Sequence, residues 1–149
     1  MITKTSPRRA AIAAIALGLA ACVLAPATVS AAEAAKRDRV VMQVSDNDPA
    51  KWNLALNNAE NLQQALGAKN VDIEIVAYGP GINMLKAESI VGNRIEDAVK
   101  AGVKLEACEV TMRKAKLTKA DMLDTVGFVP GGVIEIMRRE QEGWAYIRP

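Results

Sequence analysis

The sequence predicts an α/β domain built on a mostly parallel sheet with helices on both faces. Three observations predict it. Apolar runs of strand length alternate with stretches of helical period from residue 40 onward. Glycine or proline stands at most of the switches between the two, and Cys108 is the one cysteine in that region, so no disulfide framework holds it. Alternation of this kind joins strands through right-handed crossovers, which makes the strands parallel and requires helical cover. About 110 ordered residues can bury a sufficient core without cross-links.

The elements follow in order. Val40-Val41-Met42-Gln43-Val44 is a first strand, ended by Ser45-Asp46-Asn47-Asp48. Asp48 caps a helix whose first residue is Pro49, where a missing N–H costs least, and Trp52, Ala55, Ala59, Leu62 and Leu66 form its inner stripe before Gly67 stops it. Residues 71–78 alternate and then turn apolar, a second strand broken by Gly79-Pro80-Gly81. A short helical piece over 82–87 is expected next, then a helix over 93–101 with Ile95, Ala98 and Val99 on one face and Gly102 as its stop. Residues 103–108 make the third strand, 109–115 a helix, and Thr118 caps a helical turn that runs to Leu123. The fourth strand covers 126–129. Pro130-Gly131-Gly132 opens a helix to about Gln141, with Val133, Ile136 and Met137 expected inward, and a last strand spans 144–147.

The N-terminal third reads differently. Lys4, Arg8 and Arg9 precede 23 uncharged residues, 10–32, rich in Ala, Ile and Leu and ending in small residues: a secretory signal peptide over 1–32, cleaved after Ala31 or Ala32. Arg8-Arg9 lacks the bulky pattern of a twin-arginine signal. Leu19-Ala20-Ala21-Cys22 offers an alternative, a lipoprotein anchored through Cys22, and an uncleaved anchor helix is a third. Simple cleavage is the preferred reading, because the apolar run continues past Cys22 to a better small-residue site. It leaves no membrane span, a short charged lead-in over 33–38 expected to be disordered, and one domain over 39–149. The location expected is periplasmic or secreted, in a bacterium.

Cleavage changes the charge. The whole chain carries +2, yet all 17 acidic residues lie at or beyond Glu33, so the processed chain carries −1. With no basic stripe and no aromatics interleaved with Lys or Arg, nucleic acid is not an expected partner. The chain has no histidine at all. That excludes a serine–histidine–carboxylate triad, a cysteine–histidine pair and any histidine-ligated metal or haem. Neither a metal nor a cofactor is expected.

Ligands of an open parallel sheet gather beyond the carboxyl ends of its strands. Four loops leave those ends, at 45–48, 78–81, 108–111 and 129–132, and Cys108 is the one strong nucleophile among them. At a strand end followed by a helix, N–H groups and the helix dipole favour thiolate, and Arg113, Lys114 and Lys116 add to that field; Glu109 opposes it. Position alone also allows a small apolar residue closing a strand. Gly79-Pro80-Gly81-Ile82-Asn83-Met84 begins like a dinucleotide loop, but Met84 stands where the third glycine belongs, so a plain turn suffices. Gly131-Gly132 could receive an anion, or simply let a neighbour approach. Asp46 and Asp48 lack calcium-loop spacing.

Several segments together resemble the DsrE-like sulfur-relay family: Val40 to Asp46, Asn53-Leu54-Ala55-Leu56-Asn57-Asn58, Val76-Ala77-Tyr78-Gly79-Pro80-Gly81, Ala107-Cys108-Glu109-Val110-Thr111, Gly131-Gly132-Val133, and Gln141-Glu142-Gly143-Trp144-Ala145-Tyr146-Ile147. The resemblance covers 39–149 and rests on order and spacing. It implies a flavodoxin-related, three-layer αβα sandwich with a five-stranded, mostly parallel sheet, assembled into trimers or hexamers. It also implies that Cys108, matched to the cysteine of cytoplasmic relay members, accepts sulfur as a persulfide. Two departures stand out: the signal peptide, and Val110 where a polar residue is expected.

The function expected is therefore a periplasmic sulfur handler, an uncertain enzyme at most. Cys108 would carry sulfane sulfur, Thr111 and the following N–H groups would stabilise the anion, and Asn47, Tyr78, Gly79, Gly81 and Gly131 would shape the pocket. A donor or acceptor protein, or a small sulfane-sulfur compound, is the partner this implies. The alternatives are a non-catalytic small-ligand-binding or assembly protein and a thiol redox sensor working through an intermolecular disulfide.

Overall fold

The computed structural model describes residues 37–149. The signal segment, Ala31, Ala32, Cys22 and residues 33–36 of the lead-in lie outside them. Five strands form one sheet: β1 (Asp38–Val44), β2 (Val71–Ala77), β3 (Lys104–Cys108), β4 (Gly127–Val129) and β5 (Ala145–Ile147). All four pairings are parallel, in the order β4-β3-β2-β1-β5. β1 opens at Asp38, the last residue of the lead-in expected to be disordered, so that expectation fails there: the strand claims this residue by pairing with β2. No helix among the described residues is long and apolar enough to cross a membrane.

The strand order dictates the layers. From β1 to β4 each step moves the same way, and right-handed crossovers then place α1 (Pro49–Leu66), α2 (Gly92–Lys100) and α3 (Glu109–Lys114) on one face. β4 to β5 jumps back across the sheet, so α4 (Gly132–Gln141) is alone on the other. Alternation along β1 and β2 serves both sides. Val40, Met42, Val44, Ile73, Ile75 and Ala77 join the main core with Trp52, Leu56, Met84, Leu85 and Ile95, while Val41 and Val76 join Val129 and Ile136 under α4.

Asp48 caps α1 as the sequence predicts, its carboxylate accepting from the Ala50 N–H at 2.9 Å, and Gly67 ends it. Trp52, Ala55 and Ala59 are buried, Leu62 half-buried; Leu56 completes the stripe instead of Leu66, the exposed last residue of the helix. Two expectations fail on packing. Val133 and Met137 of α4 do not point inward: they are 62% and 48% exposed, and only Ile136 of the three is buried. A single helix touches the sheet along one line, and the strand positions beside that line are Gln43 and Tyr146, which border a shallow groove with Val133 and Met137.

The second failure concerns the glycine turn. Gly79-Pro80-Gly81 does not merely break β2 but starts a 3₁₀ helix running Gly79–Leu85, three residues before the helical piece the sequence suggests. Pro80 fits a first turn, where its missing N–H is no loss. Gly81 is required by contact: a Cβ there would lie 2.7 Å from the Val44 carbonyl carbon and 2.9 Å from the Ser45 nitrogen. Gly81→Ala must therefore push the 3₁₀ helix off the end of β1, and it is expected to lower unfolding free energy by about 1–3 kcal/mol in urea titration. An unchanged midpoint would show that the segment yields freely.

Candidate functional site

Three of the four carboxyl-end loops meet, because β2, β3 and β4 are adjacent in the sheet. Cys108 is the last residue of β3 and the N-cap of α3. Its side chain points to the α4 side, and the first N–H of α4, from Gly132, donates to Sγ at 3.1 Å. Two helix N-termini thus converge on one sulfur atom. Across the site, the Gly79 N–H donates to the Thr111 hydroxyl at 3.0 Å. The oxygen so engaged keeps its own proton for the sulfur.

Cys108 is 5% exposed. Burial pushes its thiol up, but hydrogen bonds from the Thr111 hydroxyl, the Gly132 N–H and the N–H groups of Thr111 and Val110 outweigh burial and hold it below the ordinary thiol value. The N–H groups expected at this junction act on the sulfur, whereas the three nearby basic residues are not among the causes of the shift. Of the three basic residues expected to help, Lys114 reaches the cavity wall.

The sulfur opens into a cavity of about 720 Å³. Tyr78, Gly79, Thr111 and Gly131 line it, as the sequence predicts. Gly81 does not line it, being turned back against Val44, and its role is the close packing described above. Asn47 is absent from the wall as well. It follows β1, one strand further from Cys108, and borders a separate depression with Trp52, Lys86 and Ile90.

The residues missed by sequence reasoning are Ile82, Asn83, Val110, Ala115, Val133 and Ile134 on the walls, and above all Gly132. The signal for Gly132 was the Gly-Gly pair at a helix start, and of the two uses weighed for that pair the close approach of a neighbour occurs. Gly132 gives its N–H to sulfur, and a Cβ on it would stand 3.0 Å from that of Tyr78. Among the described residues no cluster of His, Cys, Asp or Glu has the makings of a metal site.

The parallel sheet of order β4-β3-β2-β1-β5 has known counterparts. The family model described as DsrE/DsrF-like matches residues 38–149. This chain belongs to the DsrE/DsrF-like family. Among solved structures, a DsrE/DsrF-like chain aligns with the protein of unknown function MTH1491 from Methanobacterium thermoautotrophicum at 38% identity and a TM-score of 0.72, over 75% of this chain and 99% of that one. It shares the fold with the conserved protein of unknown function BT1422 from Bacteroides thetaiotaomicron, at 13% identity and a TM-score of 0.62, over 75% and 95% of the two chains. The ychN protein from E. coli is similar at 12% identity and a TM-score of 0.61, over 76% and 99%. No curated protein matches the chain.

Proposed function

We propose that this DsrE/DsrF-like protein carries sulfane sulfur as a persulfide on Cys108. The observation that carries the reading is the thiol itself, buried at a cavity wall yet held toward thiolate by donors from two loops, with the Gly79 N–H of a third loop holding the Thr111 hydroxyl in place. Those donors would also stabilise the persulfide anion. In the step proposed, the Cys108 thiolate attacks a donor's sulfane sulfur, an S–S bond forms at Sγ, and the donor's remaining group leaves with the electron pair of the bond that breaks. Starting from the thiolate, no proton has to move in this step, so it needs no histidine, and the chain has none. The burial of Cys108 disfavours the redox-sensor alternative, which needs a second protein's sulfur to reach it.

Incubation of purified protein with polysulfide, followed by intact mass, tests this. A gain of about 32 Da, one sulfur atom, is expected in the native protein and is absent in Cys108→Ser. A native thiol that stays unmodified and resists alkylation at neutral pH defeats the reading, and a dimer on a non-reducing gel that reductant dissolves would point to the sensor instead. Export is part of the proposal: N-terminal analysis of the secreted form should begin at Ala32 or Glu33, and a lipid mass on Cys22 would replace the free periplasmic form by an anchored one. So is assembly into a trimer or hexamer. The exposed Val133, Ile134, Met137 and Tyr146 on the α4 side support it, and light scattering that gives a monomer mass would refute it.

A further inference from the structure

The walls of the Cys108 cavity restrict what can deliver sulfur to it. Pro80, Ile82, Val110, Ala115, Val133 and Ile134 face the space, and Lys114 is its one charged lining residue. The Thr111 hydroxyl and the Gly132 N–H are already engaged with the site's own atoms. A dianion such as thiosulfate would exchange part of its hydration for a mainly apolar wall on which Lys114 is the one cation and Asn83 and Tyr78 the further polar side chains, which is costly. Size argues the same way. Cavities of about 300–1,000 Å³ house organic ligands, whereas a water molecule's share of liquid is about 30 Å³, so a five-atom ion would leave most of this space unfilled. Val110 sharpens the point, because the departure from the expected polar residue adds apolar wall beside the thiol and is 37% exposed without a ligand.

We infer that the sulfur donor is a small organic sulfane-sulfur compound with an apolar body and a single negative charge, rather than inorganic thiosulfate. This rests on the persulfide reading above. For an organic thiosulfonate, the Cys108 thiolate attacks the terminal sulfur of R–SO₂–S⁻. An S–S bond forms at Sγ, the bond from sulfane to sulfonyl sulfur breaks, and its electron pair leaves on the sulfinate R–SO₂⁻. The thiol is oxidised to persulfide and the thiosulfonate reduced to sulfinate, with charge conserved and no further reactant.

The experiment measures initial rates of Cys108 persulfide formation by intact mass against concentration of benzenethiosulfonate, methanethiosulfonate and thiosulfate. Each rate is divided by that of the same donor with N-acetylcysteine, which removes intrinsic reactivity. Benzenethiosulfonate is expected to saturate at a concentration at least about tenfold below methanethiosulfonate. Thiosulfate should show the lowest normalised rate. Val110→Ser should shrink the phenyl-over-methyl preference by about threefold or more, since it removes apolar wall without adding charge. Equal half-saturation for all donors, or thiosulfate leading, overturns the inference while persulfide formation stands. Failure of every donor to add sulfur overturns the persulfide reading as well.

Discussion

Arg139→Met is expected to lower unfolding free energy by about 3–5 kcal/mol, the cost of leaving a buried charge without its partner. Glu74 on β2 is fully buried, on the sheet face that α4 covers. Arg139 Nε and Nη2 both lie 2.9 Å from its Oε2, and Oε1 has no partner among the described residues. The same guanidinium reaches Glu135 at 2.9 Å and Glu142 at 3.1 Å, and stacks 4.9 Å from the Trp144 ring centre. Methionine keeps the apolar stem and removes the charge. The double variant Glu74→Gln with Arg139→Met should recover much of the loss, because the amide is far cheaper to bury than an unpaired carboxylate.

The deficit should depend on pH in a defined direction. Burial pushes the Glu74 carboxyl above its ordinary value even with Arg139 beside it; Glu135 adds to the rise, and Lys104 opposes it. Burial likewise raises its neighbour Glu106, with Glu74 as the next cause. Between the ordinary and the raised value the folded protein holds a proton that the unfolded chain has released, so stability falls as pH rises through that window. Losing Arg139 extends the window upward. Urea titrations should show the variant's deficit larger at pH 7 than at pH 5. A deficit identical at both values would mean that lost packing, not the stranded carboxylate, is responsible.

Thr111→Val carries the largest expected effect on chemistry. Valine matches threonine in shape but can neither accept the Gly79 N–H nor hydrogen-bond to Cys108. Burial, the largest influence on the thiol, then meets fewer opposing donors, and the thiol titrates higher. The pH profile of iodoacetamide labelling should shift alkaline, with the rate at pH 7 falling about fivefold to tenfold. Thr111→Ser should restore the native profile. A profile unmoved by the valine would show that the Gly132 N–H and the α3 backbone suffice by themselves.

How far the sequence reaches can be followed residue by residue. Asp48-Pro49, Gly67, Gly102 and the apolar runs mark most element ends, because capping, helix stops and strand periodicity are local properties of a few neighbouring residues. Cys108 is legible for the same reason, as the nucleophile at a strand-to-helix junction. Asn47 and Tyr78 looked equivalent, each in a loop at a strand's carboxyl end, and nothing local separates them. The order β4-β3-β2-β1-β5 does, by putting the loops of β2 and β4 beside Cys108 and that of β1 two strands away.

The same limit explains Glu74 and α4. Glu74 looks like the polar half of an alternating strand, and Val133 and Met137 like the inner face of a helix. Only the lone placement of α4 on its side of the sheet buries the first and exposes the others. By itself the sequence determined an α/β domain of five strands with a single nucleophile at a strand end, since hydrophobic period and backbone punctuation act over a few residues. The tertiary structure alone decided which loops meet around that thiol, that Gly132 supplies its N–H, and that the cavity walls are apolar. Those are contacts between residues far apart in sequence, settled by strand order and by the face on which each crossover lands.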